Sequence, residues 1–235
     1  MHSFGLPTFR GGTHPPEKKE LAKDREVEVF PVPPLLAASL SQGIGAPSKP
    51  VVAAGDKVLR GQLIAEPGGF VSAALHAPTS GTVKSIGECP HPVGLRASGI
   101  FIEADGADEW HPEARTALSD DQVAGLSPKE IVTRVGAAGI VGMGGAAFPT
   151  HVKLSPPPEK KIDTVILNGC ECEPYLTADY RLMMDRPADV LKGLKLLVKA
   201  VGAARGIIGV EANKPDAFER LLREVRGLEG LSVRL

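Results

Sequence analysis

The sequence predicts an α+β protein in two parts: a small all-β module, then an α/β domain with a largely parallel sheet. Three observations carry this. Residues 29–105 alternate short apolar runs with Gly, Pro and Asp turn signals, the spacing of a small barrel or sandwich. From Ser127 onward, stretches of helical spacing alternate with short β-branched runs, as in sheets whose strands are joined by helices. A chain of 235 residues has room for one or two domains of ~100–200 residues each.

Residues 1–28 read as an arm, because Gly11-Gly12 and Pro15-Pro16 oppose regular structure. Two readings stand: a flexible leader, or an extended arm packed through Phe4 and Phe9. Within 29–105, strands are expected at Val29–Val32, Val51-Val52, Lys57–Val58, Leu63–Ala65, Thr82–Ile86 and Ile100–Glu103. Residues 106–126 form a linker, in which Trp110, beside His111 and Pro112, reads as an anchor packed on a neighbour. The α/β domain then occupies 127–235. Ser127-Pro128-Lys129-Glu130 is a capping box that opens a helix, with Ile131, Val132 and Val135 on its apolar stripe, and Gly139 stops it. Further helices are expected over Leu176–Met184, from Pro187 to Gly202, and from Pro215 through Val225. Strands are expected at Val165–Leu167, Gly206–Glu211 and Leu231–Leu235. This alternation implies a Rossmann-like layout. Because the sequence stops inside an apparent parallel strand, it reads as the N-terminal portion of a longer design.

The chemistry concentrates between Val135 and Pro174. Gly142, Gly144 and Gly145 form a loop whose backbone can approach a ligand closely, and Pro149 opens a short helix after it. A Gly-rich loop leading into a helix presents free N–H groups and a partial positive charge, which suits phosphate. Lys153 adds a full charge. The apolar run Val165–Leu167 then delivers Asn168, Glu171 and Glu173 into a second polar loop, the place where open α/β sheets hold ligands.

Composition narrows the function. Lys and Arg number 27 against 28 Asp and Glu, so there is no basic field for nucleic acid. Aromatics are too few for base stacking. Three cysteines, Cys89, Cys170 and Cys172, with no signal-peptide pattern, fit a reducing cytoplasmic setting. Val135–Pro149 is shorter than the ~20 residues of a spanning helix and is broken by glycines, so no transmembrane segment is expected. Cys170-Glu171-Cys172 falls short of the four ligands of a structural zinc site or an iron–sulfur cluster. The two thiols read as loop residues and no metal site is assigned. Asp179 and Arg181 read as a local charge pair. His14, His76 and His91 stand isolated.

Two resemblances add to this reading. VVAAGDKVLRGQLIAE followed by HAPTSGTV resembles the hammerhead, or barrel-sandwich, fold of biotinyl and lipoyl domains, with turns at Gly55-Asp56, Gly61-Gln62 and Pro78–Gly81. Carrier domains present a lysine on a hairpin. Here no lysine occurs between Lys57 and Lys84, and Val71–Ala74 occupies the hairpin, so the module reads as a docking unit. GMGGAAFPTHVKL and LNGCECEPYLTADYRLM, with GGTHPPEKKEL, GDKVLRGQ and GVEANKPDA, resemble RnfC, the peripheral NADH-oxidising subunit of the Rnf ion-translocating electron-transport complex. The flavin-binding subunit of respiratory complex I is a more distant relative.

The RnfC resemblance implies FMN and NADH as cofactors, with hydride transfer to the flavin and electrons passed toward iron–sulfur clusters. Carried over by position, it implies that Gly142, Gly144, Gly145 and Phe148 line the flavin and Lys153 reaches it. Asn168 and Glu171 are implied to contact the flavin, and Glu173 the nicotinamide ribose or adenosine. No side chain is implied as catalytic. The implied partners are other Rnf subunits at the membrane, and the implied location is peripheral, on the cytoplasmic side of the bacterial inner membrane. Three positions depart from the pattern: Ala147 replaces a usual Gly, His151 a small residue, and Cys170 an Ala or Asp. The 4Fe-4S-binding CxxCxxCxxxCP segments of the family are absent from this sequence. Two other functions remain open: a docking or scaffold fragment without redox activity, and a soluble RnfC-like electron-transfer protein serving another reductase.

Overall fold

A computed structural model describes residues 15–91 and 96–235. Phe4 and Phe9, which favoured a packed arm, lie outside them. The chain divides into two compact units. One is Val29–Pro157; the other joins the arm, up to Glu28, with Pro158–Leu235. The Ser127 capping box and the Gly-rich loop therefore fall in the first unit, although their pattern groups them with the parallel sheet.

The first unit contains β1 (Leu35–Ser39), β2 (Lys49–Pro50), β3 (Lys57–Val58), β4 (Leu63–Glu66), β5 (Leu75–His76), β6 (Gly81–Pro90) and β7 (Arg96–Ala104). They form two antiparallel sheets, ordered β1-β7-β6-β3 and β2-β4-β5. Irregular register at Val83/Ser85 and Leu63/Ala65 bends the strands, and Val58, Ile64, Val83, Ile100 and Ile102 fill the interior. Each such side chain contributes about 1.5–3 kcal/mol on burial. The turns expected at Gly55-Asp56 and Gly61-Gln62 are present. Asp56 accepts from Ala53 N and Gln62 from Leu59 N, and both glycines have positive φ.

Two strand expectations fail. Val29–Val32 forms no ladder, and Val29 and Phe30 stay exposed. Pro31, Pro33 and Pro34 supply no N–H, so pairing begins only at Leu35. The strand expected at Val51-Val52 pairs instead at Lys49–Pro50. The two-residue β5 is too short to show a period.

The linker carries more structure than its composition suggests. Trp110 is held between Arg60, 4.4 Å from the ring centroid, and Arg115, at 5.8 Å, which fulfils the anchor expectation. Helix α1 (Asp120–Gly125) is capped by Ser119 and Gln122. Helix α2 (Pro128–Ala137) has the predicted capping box: Ser127 Oγ accepts from Glu130 N, and Glu130 Oε2 from Ser127 N. Gly139, at φ 66°, follows its end. Helix α3 is the single turn Thr150–Lys153.

The second unit builds β8 (Thr164–Gly169), α4 (Ala178–Asp185), α5 (Pro187–Val201), β9 (Arg205–Val210), α6 (Pro215–Glu224) and β10 (Leu231–Arg234). The strands are parallel, in the order β10-β9-β8. Tyr180, Met183, Leu191, Leu194 and Leu221 of the helices share one core with Val165, Leu167, Ile208, Val210 and Val233 of the strands. Those strand residues lie in rows on one face of the sheet. On the other face Ile166 is 70% exposed. The parallel sheet is as expected, but the Rossmann-like layout with helices on both faces is not what the described residues form. The strands lie side by side in chain order, and α4, α5 and α6 pack into one core with the same face of the sheet.

Candidate functional site

The Gly-rich loop is a closed turn in the first unit. Gly142 N donates to Phe148 O at 3.0 Å, and Val141 bridges Pro149 at its base. Ile44 N donates to Ala146 O at 2.9 Å, so residues 43–44 of the β module brace the loop. Between these ties, the N–H groups of Met143, Gly144 and Gly145 find no acceptor among the described residues. A Cβ added to Gly144 or Gly145 would meet nothing within 4 Å. These are free donors on an open face. At Gly142 the opposite holds: a Cβ would lie 2.7 Å from the Lys153 ammonium. Lys153 thus lies against the loop, 6.0 Å from the Phe148 ring centroid. Gly142, Gly144, Gly145, Phe148 and Lys153 are therefore gathered at one place. Behind the loop is a cavity of about 230 Å³ lined by residues such as Leu40, Gly43, Ser72, Val141 and Ala147. No charged side chain lines it.

One part of the expected cradle is missing. Pro149 is the residue before the helix rather than its first residue, and α3 has only four residues. A single turn aligns too few peptide dipoles to act as an anion-binding helix end. Positive charge at this loop therefore comes from Lys153.

Asn168, Glu171 and Glu173 belong to the second unit, at the end of β8 and in the loop after it. Asn168 Oδ1 accepts from Cys170 N at 3.0 Å. The Glu171 carboxylate accepts from Asp179 N at 2.7 Å and Tyr180 N at 3.1 Å. It thereby fixes the start of α4 at Ala178, two residues beyond the sequence expectation. These two side chains serve the loop itself. The exposed Glu173 carboxylate has no hydrogen bond or ion pair among the described residues. Glu171 and Tyr175 have φ of 49° and 69°, left-handed backbone that side-chain-bearing residues adopt at a cost.

Sequence reasoning missed two side chains beneath this loop. Lys19 Nζ donates to Glu171 O at 2.6 Å, Glu173 O at 3.0 Å and Leu176 O at 2.9 Å. Lys214 Nζ donates to Cys170 O, to Glu211 Oε2 at 3.0 Å and to Asn213 Oδ1 at 2.9 Å. Both lysines sit inside motifs, EKKEL and ANKPDA, that mark the chain. Lysines are ordinarily surface residues, and nothing in those motifs shows burial. Burial, then the Glu171 charge, pushes the Asp179 carboxyl up, against the pull of Lys214 and Lys19. Burial and the hydrogen bond to Asp216 push Tyr180 up to about 12. Arg181 pairs with Asp185 instead of Asp179, so the charge pair expected there is not formed. Among the described residues, no group of three or more His, Cys, Asp or Glu is placed to hold a metal. No described helix is long and apolar enough to cross a membrane.

Comparison with known proteins accounts for both units. The family described as the RnfC barrel sandwich hybrid domain matches residues 7–107, and the Nuo51 FMN-binding domain matches residues 135–234. A subunit of the proton-translocating ferredoxin:NAD(+) oxidoreductase complex of Clostridium ljungdahlii is 46% identical over 94% of this chain and 48% of that protein. Its counterpart in the Na(+)-translocating complex of Acetobacterium woodii is 46% identical over 96% of this chain and 50% of that protein. A subunit of the ion-translocating oxidoreductase complex of Rhodobacter capsulatus is 43% identical over 97% of this chain and 44% of that protein. The chain thus spans about half the length of the curated relatives it matches. Matching the RnfC barrel sandwich hybrid domain, and 43–46% identical to these subunits over 94–97% of its length, this chain belongs to the RnfC family.

Proposed function

We propose that this chain is the flavin- and nicotinamide-handling part of an Rnf-type complex. In this reading it binds FMN, accepts hydride from NADH, and passes electrons toward iron–sulfur clusters held elsewhere in the assembly. The matched Nuo51 domain, described as FMN-binding, and relatives named as parts of ferredoxin:NAD(+) oxidoreductase complexes support it. The proposed partners are the other Rnf subunits, with this chain peripheral to the cytoplasmic face of the membrane and the complex coupling electron flow to ion translocation.

The observation that carries the reading is the Gly142–Phe148 loop, with its unbonded N–H groups, open glycine faces and adjacent ammonium. That donor set fits an anionic, flat cofactor. FMN, when bound, supplies the hydride-accepting chemistry; the side chains supply placement and charge. The N–H groups of Gly144 and Gly145 are proposed to donate to the cofactor, where added side chains would block approach. Gly142 leaves room for Lys153, whose charge favours an electron-rich ligand. Asn168, the Glu171 segment and the free Glu173 carboxylate lie in the other compact unit and are proposed, within that unit taken by itself, as its cofactor-facing residues, Glu173 toward the nicotinamide ribose or adenosine.

Fluorescence quenching of added FMN tests this. Lys153→Ala should weaken FMN binding relative to both the parent and Lys161→Ala, by about ten- to a hundredfold, the loss of one charge-assisted contact. Equal affinities for the two variants would remove Lys153 from the site. No saturable quenching by the parent would favour a docking fragment without redox activity.

A further inference from the structure

The second loop has an unusual underside. Lys19 is 7% exposed and Lys214 is 2% exposed. Burying an ammonium group is costly unless its hydrogen bonds are met, and an ammonium has three donors. Each lysine has three acceptors within 3.0 Å. No donor remains for an outside ligand, so the cavity of about 320 Å³ that they line with Lys23, Thr177, Tyr180 and Asp216 gains no anion site from them. Their charge is directed at the chain itself. Lys19 has no carboxylate within ion-pair distance among the described residues; its acceptors are all backbone carbonyls.

We propose that Lys19 and Lys214 are positioning residues that turn the loop after β8 into a donor surface. In a trans peptide the carbonyl of one residue and the N–H of the next point in opposite directions. Lys214 draws the Cys170 carbonyl inward and Lys19 draws the Glu171 carbonyl inward. The next two N–H groups, of Glu171 and Cys172, are thereby turned away from the lysines. Neither has an acceptor among the described residues. Two successive free N–H groups around a left-handed residue, Glu171 at φ 49°, form a concavity for an electron-rich atom. The arm secures the other left-handed residue as well, because Tyr175 N donates to Glu17 O at 2.8 Å. Strained backbone of this kind persists where its surroundings over-determine it, and Lys19 with Glu17 provides that here.

This inference rests on the flavin reading for the ligand, so its test has one arm that needs flavin and one that does not. The variants are Lys19→Met, Lys214→Met and Lys19→Arg in the 235-residue protein. Lys23→Met is the control, since Lys23 lines the same cavity but bonds to Asp24 at its surface. In the flavin arm, Lys19→Met and Lys214→Met should each weaken FMN binding about tenfold or more, the loss of a charge-assisted contact. Lys19→Arg should recover part of the loss and Lys23→Met should show none. In the second arm, amide hydrogen exchange without flavin should speed up at Tyr175, Asp179 and Tyr180 in both methionine variants, with the β6–β7 amides unchanged. If Lys19→Met does not fold, Lys214→Met and Lys19→Arg carry the comparison. Parent-like exchange in folded methionine variants overturns the positioning role. Loss of affinity in Lys23→Met equal to that in Lys19→Met also overturns it. A parent that binds no FMN overturns the flavin reading alone, and the exchange arm then decides the role of the lysines.

Discussion

Cys170 and Cys172 stand on either side of Glu171 in the loop yet differ in chemistry. Burial, then the Glu211 charge, pushes the Cys170 thiol up, while Lys214 pulls the other way. Its Sγ lies 3.9 Å from Gly209 O, whereas Cys172 is exposed. Cys89, far along the chain in β6, is 2% exposed. Alkylation requires the thiolate and access to it. Iodoacetamide should therefore label Cys172 first, Cys170 more slowly, and Cys89 only on unfolding, as followed by peptide mass spectrometry. Labelling of Cys170 ahead of Cys172 would contradict the environments described. The departures from the family pattern also resolve at this scale. The methyl of Ala147, which stands where the family usually has Gly, lies 2.7 Å from where a Cβ on Gly43 would be. It faces the bracing segment, and its cost is backbone strain at φ 51°. The His151 ring packs against α2 beside Gly136.

At the scale of elements, the Gly-rich loop depends on a segment distant in sequence, between β1 and β2, and not on its own glycines alone. A Cβ on Gly43 would fall 2.7 Å from Ala147 Cβ, 2.8 Å from Ala147 O and 2.9 Å from Ala146 O. Two of those atoms are backbone and cannot rotate away. Gly43→Ala should break the Ile44–Ala146 hydrogen bond and cost about 1–3 kcal/mol of stability, as overpacking does. Chemical denaturation measures the loss, and weakened FMN quenching should accompany it. Unchanged stability would show that the loop does not rest on this brace. This dependence explains what the sequence could and could not reveal. Helix starts at Ser127, Pro187 and Pro215 were legible because caps and prolines act within a few residues. Glu171 and the glycines were legible as loop residues for the same reason, whereas Asn168, expected in the loop, is still paired within β8. Gly43, Lys19 and Lys214 were not, because their meaning lies in contacts across the chain. Val29–Val32 misled because its apolar pattern is sound, while three prolines remove the donors a ladder needs.

For the whole molecule, the proposed function raises the question of where electrons would go after hydride acceptance. Delivery of single electrons to a distant acceptor requires a nearby one-electron centre, and iron–sulfur clusters need four protein ligands, normally thiolates. This sequence has three cysteines. Cys89 belongs to the unit Val29–Pro157, where it is buried in a strand, and Cys170 and Cys172 belong to the other unit. Cys170 is tied into the loop through its backbone: its N–H goes to Asn168 and its carbonyl to Lys214. The loop then offers two thiols, one of them part-buried with its Sγ 3.9 Å from Gly209 O, where a cluster needs four ligands. The 235-residue chain should therefore assemble no cluster by itself, and NADH-driven reduction of obligate one-electron acceptors should be low until cluster-bearing parts of the complex are supplied. Anaerobic reconstitution with iron and sulfide, followed by EPR of the reduced sample, tests the first statement; acceptor reduction with and without those parts tests the second. A stoichiometric iron–sulfur signal from this chain would mean that cysteines of more than one copy combine into a site. It would also tie up the loop thiols as ligands, so that Cys172 as well as Cys170 would resist alkylation in the same sample.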